Sequence, residues 1–220
     1  MTEPLILTTA YFGPVQYYTK FIDRPAVRIE QHDNYIKQTY RNRCTIGSAN
    51  GPLSLIVPVK RRKGEKTTVK DIKIDYDTNW RKDHRQGIIS SYNSSPFFEY
   101  IRDEIEPFFF RKYEFLIDMN FDILIKTLEC LEIECNPELT SHYDFNTSSY
   151  GAIDLRDIIH PKKHSEEDLS FHPVPYTQVF SSKLGFIPNL SILDLLFNTG
   201  KEAKSILKAS MKISVDQAQG

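Results

Sequence analysis

The stretch Glu30-Gln-His-Asp-Asn-Tyr-Ile-Lys-Gln-Thr-Tyr-Arg-Asn-Arg43 crowds ionisable, amide and aromatic side chains between two apolar runs, Ala26–Ile29 and Cys44–Ile46. Both runs read as buried strands, so the stretch is expected at a strand mouth, where α/β proteins keep their sites. His32 and Asp33 are adjacent, and an imidazole beside a carboxylate suits a general base. The plainer reading is a loop histidine bonded to backbone. Arg41 and Arg43 alternate, which on a strand puts both on one face and Asn42 on the other. Two guanidinium forks side by side suit a phosphate or carboxylate. A surface salt-bridge ladder is the alternative.

Further along, Trp80 and His84 are four apart on a predicted helix and share a face, with Tyr92 close to it. An indole beside an imidazole can line a sugar or base pocket by stacking; equally, Trp80 is core and His84 its satisfied neighbour. His84 joins His32 and Asp33 as a candidate proton carrier. Tyr176 and Gln178 alternate on a predicted strand and read as pocket lining. Asp194 sits in an apolar helix, either as a buried, paired carboxylate or at a solvent-facing position. The turn Tyr11-Phe-Gly-Pro14 precedes a helix and loosely resembles an anion site, which adds Tyr11 to the ligand-binding candidates. It lacks the glycine spacing of a dinucleotide or P-loop fingerprint. Cys44 as a nucleophile needs a base in space; a buried inert thiol is the simpler reading. His160, His164 and His172 lack helical alignment and any His-Glu-x-x-His pattern, so no metal site is expected. The sequence names no cofactor. The basic run Lys60-Arg-Arg-Lys63 reads as a solvated hairpin tip before it reads as a phosphate holder.

The totals narrow the classes. In 220 residues, 28 Lys and Arg face 29 Asp and Glu, which argues against a nucleic-acid-coating protein. Three cysteines, an odd number with Cys44 far from Cys130 and Cys135, give no disulfide framework and fit a reducing compartment. No run approaches about 18 apolar residues, so no membrane span is expected. The start, Met-Thr-Glu-Pro-Leu-Ile-Leu, is unlike a signal peptide, and the expectation is a cytoplasmic protein. Oligomeric state is not legible.

The elements that must position these groups follow in order. Leu5–Thr9 reads as a strand, residues 14–23 as a helix opened by Pro14, and Ala26–Ile29 as a second strand, making a βαβ unit. Asn50-Gly51 marks a hairpin between Cys44–Ile46 and Leu53–Val57. Val69–Ile74 reads as a strand. Helices are expected from Thr78 or Asn79 to Tyr92, from Pro96 to Ile105, over Asn120–Ile133, from Asn189 to Phe197, and over Lys201–Ile213. The prediction is one α/β domain over residues 1–213, with a helical insertion at about 78–134 and a flexible tail at 214–220. Its sheet is expected to be open, mixed or mostly parallel, with helices on both faces and strands near residues 5, 27, 45 and 55; α+β is the alternative.

The landmarks Tyr11-Phe-Gly-Pro14, Tyr40-Arg-Asn-Arg43, Gly51-Pro-Leu-Ser-Leu-Ile-Val-Pro-Val59, Trp80-Arg-Lys-Asp-His84, Ser91-Tyr92 with Pro96-Phe-Phe98, Tyr176-Thr-Gln-Val-Phe180 and Leu190-Ser-Ile-Leu-Asp-Leu-Leu-Phe197 occur in an order that resembles the WbqC-like family of bacterial proteins. No single motif is specific; the ordered set is. Thr9-Ala10 stands where many members have Gln-Pro, so any ligand contact of that Gln is replaced here. Members often sit in surface-polysaccharide gene clusters. The resemblance therefore implies a transferase of O-antigen or capsule synthesis, acting on an activated sugar or an acyl or aminoacyl group. The partner is then a small anionic molecule, such as a nucleotide sugar or acyl donor. The alternative is a non-catalytic binding or scaffold protein of the same pathway.

Overall fold

The computed structural model describes residues 4–61, 66–143 and 152–212. Its centre is a wholly parallel sheet of β1 (Leu5–Thr8), β2 (Ala26–Glu30), β7 (Asn136–Leu139) and β8 (Ile153–Asp154), in the order β7-β2-β1-β8. Period-two alternation explains the sheet. The register sets Leu5 beside Val27 and Leu7 beside Ile29, and these four join the common core. Arg28 and Glu138 point the other way and border a cavity of about 280 Å³ lined by strand and loop residues. All four β1 residues are buried, as expected of an inner parallel strand.

The hairpin is real but separate from this sheet. β3 (Arg43–Ser48) and β4 (Gly51–Ile56) pair only with each other, across Ala49-Asn50, with Gly51 at φ 106°. The strands expected near 45 and 55 therefore form a second layer, not the sheet itself. Two short strands, β5 (Val59–Lys60) and β6 (Lys73–Ile74), make a further ladder. The expected strand over Val69–Ile74 is mostly a 3-10 turn, Val69–Asp71.

Helix α1 (Val15–Thr19) is shorter than expected but opens after Pro14 and is buried throughout. The middle third is helical: α2 (Trp80–Tyr92), α3 (Phe98–Ile105), α4 (Pro107–Phe110) and α5 (Leu116–Cys130). Trp80, His84, Ile88 and Tyr92 fall four apart along α2 and face inward. Near the C-terminus come α6 (Ser181–Leu184), α7 (Ile192–Thr199) and α8 (Ala203–Ala209). Every residue of α7 is buried. Its Ser191 cap accepts from the Leu193 N–H and donates to the Phe12 carbonyl. The Ile192 N–H reaches the Gly13 carbonyl and the Ser191 N–H the Thr45 carbonyl, so α7 locks the first turn to the hairpin. Residues 62–63 of the basic run and the tail at 214–220 lie outside the described residues.

Candidate functional site

The expected site residues separate into three groups. In the first, the Tyr11 hydroxyl and His84 Nδ1 share a hydrogen bond of 2.9 Å, and Trp80 packs edge-on to His84 at 5.1 Å. Trp80 donates its indole N–H to the Asp75 carbonyl. Only 5% of His84 is exposed. Burial lowers its pKa to about 4, against a hydrogen bond to the Ile56 backbone. The ring is neutral and enclosed at pH 7, so Tyr11, Trp80 and His84 are core rather than pocket lining.

The second group surrounds Asp194. Tyr92 donates to Oδ1 at 2.8 Å; Tyr176 and the Gln178 amide donate to Oδ2 at 2.7 and 2.9 Å. Tyr92 also accepts the Gly47 N–H, and Gln178 exchanges two bonds with Ile187. Burial raises the Asp194 pKa while these donors oppose the rise. Four expected ligand-binding residues thus do meet, although Tyr176 and Gln178 lie in a segment without regular secondary structure rather than a strand. They satisfy one another, which is the behaviour of a structural network. Asp194 ties α2, the hairpin and the 176–187 segment together.

The third group is the organising stretch. At the carboxyl end of β2, Glu30 is 1% exposed and accepts from the His32 N–H and the Thr140 hydroxyl, with Arg156 Nη1 at 3.4 Å. His32 Nε2 contacts the Thr140 carbonyl at 3.0 Å, which is the loop-histidine arrangement. Asp33 does not orient His32. It pairs with Arg41 at 2.8 Å. Arg41 and Arg43 do not share a strand face either, because β3 begins only at Arg43 and Arg41 lies buried in the preceding turn. Its carbonyl is held by Asn120, and burial lowers its pKa.

What the turn does create is a cavity of about 380 Å³ lined by Tyr35, Lys37, Gln38, Asn42, Arg43, Val59 and Arg61. Asn42 therefore lines the same space as Arg43 rather than the opposite side. The Asn42 amide is oriented by donating to the Val57 carbonyl at 2.8 Å, while Oδ1 has no partner. Arg43 Nε and Arg61 Nε are likewise buried without partners. The Arg61 guanidinium lies 5.2 Å above the Tyr35 ring. Burial raises the Tyr35 pKa, and the charges of Arg61, Arg41 and Arg43 oppose the rise. No carboxylate lines the cavity or pairs with Lys37, Arg43 or Arg61 among the described residues. Lys37 was not singled out from sequence, and Arg61 was weighed only as part of a basic run read first as a solvated hairpin tip. The basic run was the visible signal for Arg61, and β5 carries it back over the loop.

Cys44 is buried, and burial pushes its thiol up to about 12, so it is inert. Among the described residues no group of His, Cys, Asp and Glu could hold a metal ion, and no helix is long and apolar enough to cross a membrane.

Comparison with known proteins matches residues 10–169 and 156–206 to one family, described as the WbqC-like protein family. The chain belongs to this family. A relative in Mycobacterium tuberculosis, the uncharacterized protein Rv1507c, is 23% identical over 222 residues, covering 90% of this chain and 91% of the relative. No solved structure matches. The WbqC-like match runs from the first turn through α7, so it takes in the hairpin, the Asp194 network and the basic cavity alike.

Proposed function

We propose that this protein binds a small anionic molecule in the Arg43 cavity and acts as a cytoplasmic transferase of bacterial surface-polysaccharide synthesis. The anion is the phosphate or carboxylate end of an activated sugar or acyl donor. The observation that carries the reading is the pairing of three cations without an acidic partner among the described residues, Lys37, Arg43 and Arg61, with three unpartnered buried polar atoms around one opening. Guanidinium groups without acids recognise phosphate and carboxylate oxygens through paired N–H donors. The pathway is what the resemblance to WbqC-like proteins implies. In this reading proton transfer falls to His32, half-buried at the sheet's carboxyl end with its Nε2 on the Thr140 carbonyl, and not to the enclosed His84.

A second reading has its own observation. His84, Arg41 and Tyr176 fall in separate buried groups and line no common cleft, which favours a binding protein of the same pathway without catalysis.

Thermal melts with nucleotide sugars, acyl-CoAs and ATP decide the first point. A ligand at a hundred times its Kd adds about 2.7 kcal/mol of stability. Wild type is expected to gain this with at least one donor, and Arg43→Ala is expected to lose it while melting normally alone. No shift with any anion would reject the site. Mass spectrometry of products then separates the readings: turnover that vanishes in His32→Ala with binding intact marks the transferase, and binding without product marks the carrier.

A further inference from the structure

The inward face of α2 is core, but its outward face borders a second cavity, of about 450 Å³, that shares no residue with the Arg43 cavity. We infer that this second cavity is a nucleoside diphosphate site, in which Lys82 and Lys112 hold the phosphates and the rings of Tyr76 and Phe110 take the base.

Four cations line it: Arg81, Lys82, Arg85 and Lys112, with no carboxylate among the lining residues. Two are already engaged. Arg81 donates to the Phe110 and Arg111 carbonyls, and Arg85 pairs with Glu106 at 2.9 Å. Lys82 and Lys112 have no carboxylate partner among the described residues and are exposed. Two unneutralised ammonium groups at one opening suit adjacent phosphates, to which lysine binds as a point charge.

The aromatic groups set the rest of the ligand. Arg81 and Lys112 sit 5.1 and 5.5 Å from the Tyr76 ring centre, and Arg85 sits 5.7 Å from that of Phe110. Phe110 is 65% exposed although it follows two buried phenylalanines, Phe108 and Phe109. It is the last residue of α4, and its backbone carbonyl accepts from Arg81. An exposed ring beside cations is a stacking platform for a flat base. The volume lies within the roughly 300–1,000 Å³ of small-molecule sites. Inorganic phosphate would leave the rings unused, and an uncharged aromatic would leave the lysines unused.

The protein has one tryptophan, Trp80, whose ring centre is 6.0 Å from that of Tyr76, so its fluorescence reports on this cavity. ADP, pyrophosphate and adenosine are titrated against the full chain while Trp80 emission is followed, with calorimetry as a second readout. ADP is expected to bind saturably and at least tenfold tighter than either pyrophosphate or adenosine. Lys82→Glu is expected to weaken ADP and pyrophosphate at least tenfold. Phe110→Ala is expected to weaken ADP several-fold and to leave pyrophosphate within twofold. Both positions are exposed, so neither variant threatens the fold. Absence of saturable ADP binding, or equal binding by wild type and both variants, overturns the inference. Loss of ADP binding in Arg43→Ala alone also overturns it, and assigns the nucleotide to the first cavity.

Discussion

His84 shows how a residue with the right chemistry is disarmed by where it sits. Its folded pKa of about 4 lies below the ordinary value of 6.5 because burial disfavours the imidazolium. Between those two pH values the unfolded chain binds a proton that the folded chain refuses. The stability present above pH 6.5 is therefore lost as pH falls toward 4, by about 3 kcal/mol at full extent. Asp194 works with the opposite sign: its raised pKa favours the folded state at low pH, and that contribution disappears as pH rises through the folded value. Urea unfolding of wild type and His84→Gln between pH 7 and 4.5 tests the histidine. Wild type is expected to lose stability more steeply than the variant; superimposable slopes would show that His84 titrates normally. The same enclosure that lowers the pKa also shuts substrate away from the ring.

At the scale of elements, α7 is the piece on which the others close. It ends at Gly200, which has φ 53°, and a β-carbon built there would stand 2.5 Å from the Phe97 ring. Gly185 also has positive φ, 71°, but nothing lies within 4 Å of its missing β-carbon. Gly200→Ala therefore carries both backbone strain and a clash, and Gly185→Ala carries strain alone. The expected losses are about 3 kcal/mol or more for Gly200→Ala and about 1 kcal/mol for Gly185→Ala, read from chemical denaturation. Equal losses would mean that the Phe97 contact contributes nothing. Helices were the most legible part of the sequence, because a 3.6-residue period with a serine or proline start is a local signal: α2, α3 and α7 lie close to where their residues predict. The short strands were less so. The first half of Val69–Ile74 became a 3-10 turn, with only Lys73–Ile74 left as strand, because Val69 and Lys70 donate their N–H groups to the Asp33 and Gln31 carbonyls rather than to a strand. The cavity residues were the least legible. Arg43 and Arg61 are 18 positions apart, and only the hairpin's return through β5 brings them together. Pairing within the Asp194 group needed three segments distant in sequence, so its members were visible singly and its role was not.

Across the whole molecule, the first turn and the last helices are one structural unit. One hydrophobic cluster runs from Leu5 in β1 to Leu207 in α8. The Val15 N–H takes the Leu190 carbonyl, Ser191 holds Phe12, and the bridge between Phe171 and Met211 closes the far side. Ile192, Leu193, Leu195, Leu196 and Phe197 are all fully enclosed. Truncating even one such side chain to alanine costs about 2–5 kcal/mol, and a whole domain is stable by only about 5–15 kcal/mol. Removing residues 190–212 strips out all five, exposes the surface of α1 that packs on α7 and α8, and unties the hairpin from the first turn. The chain 1–189 is expected to show no cooperative unfolding transition by circular dichroism, although it retains β1, the hairpin and both cavities' residues in sequence. A sharp cooperative melt of that fragment would mean that the sheet and hairpin fold without α7. The basic cavity would then belong to a smaller unit than the one the family match spans.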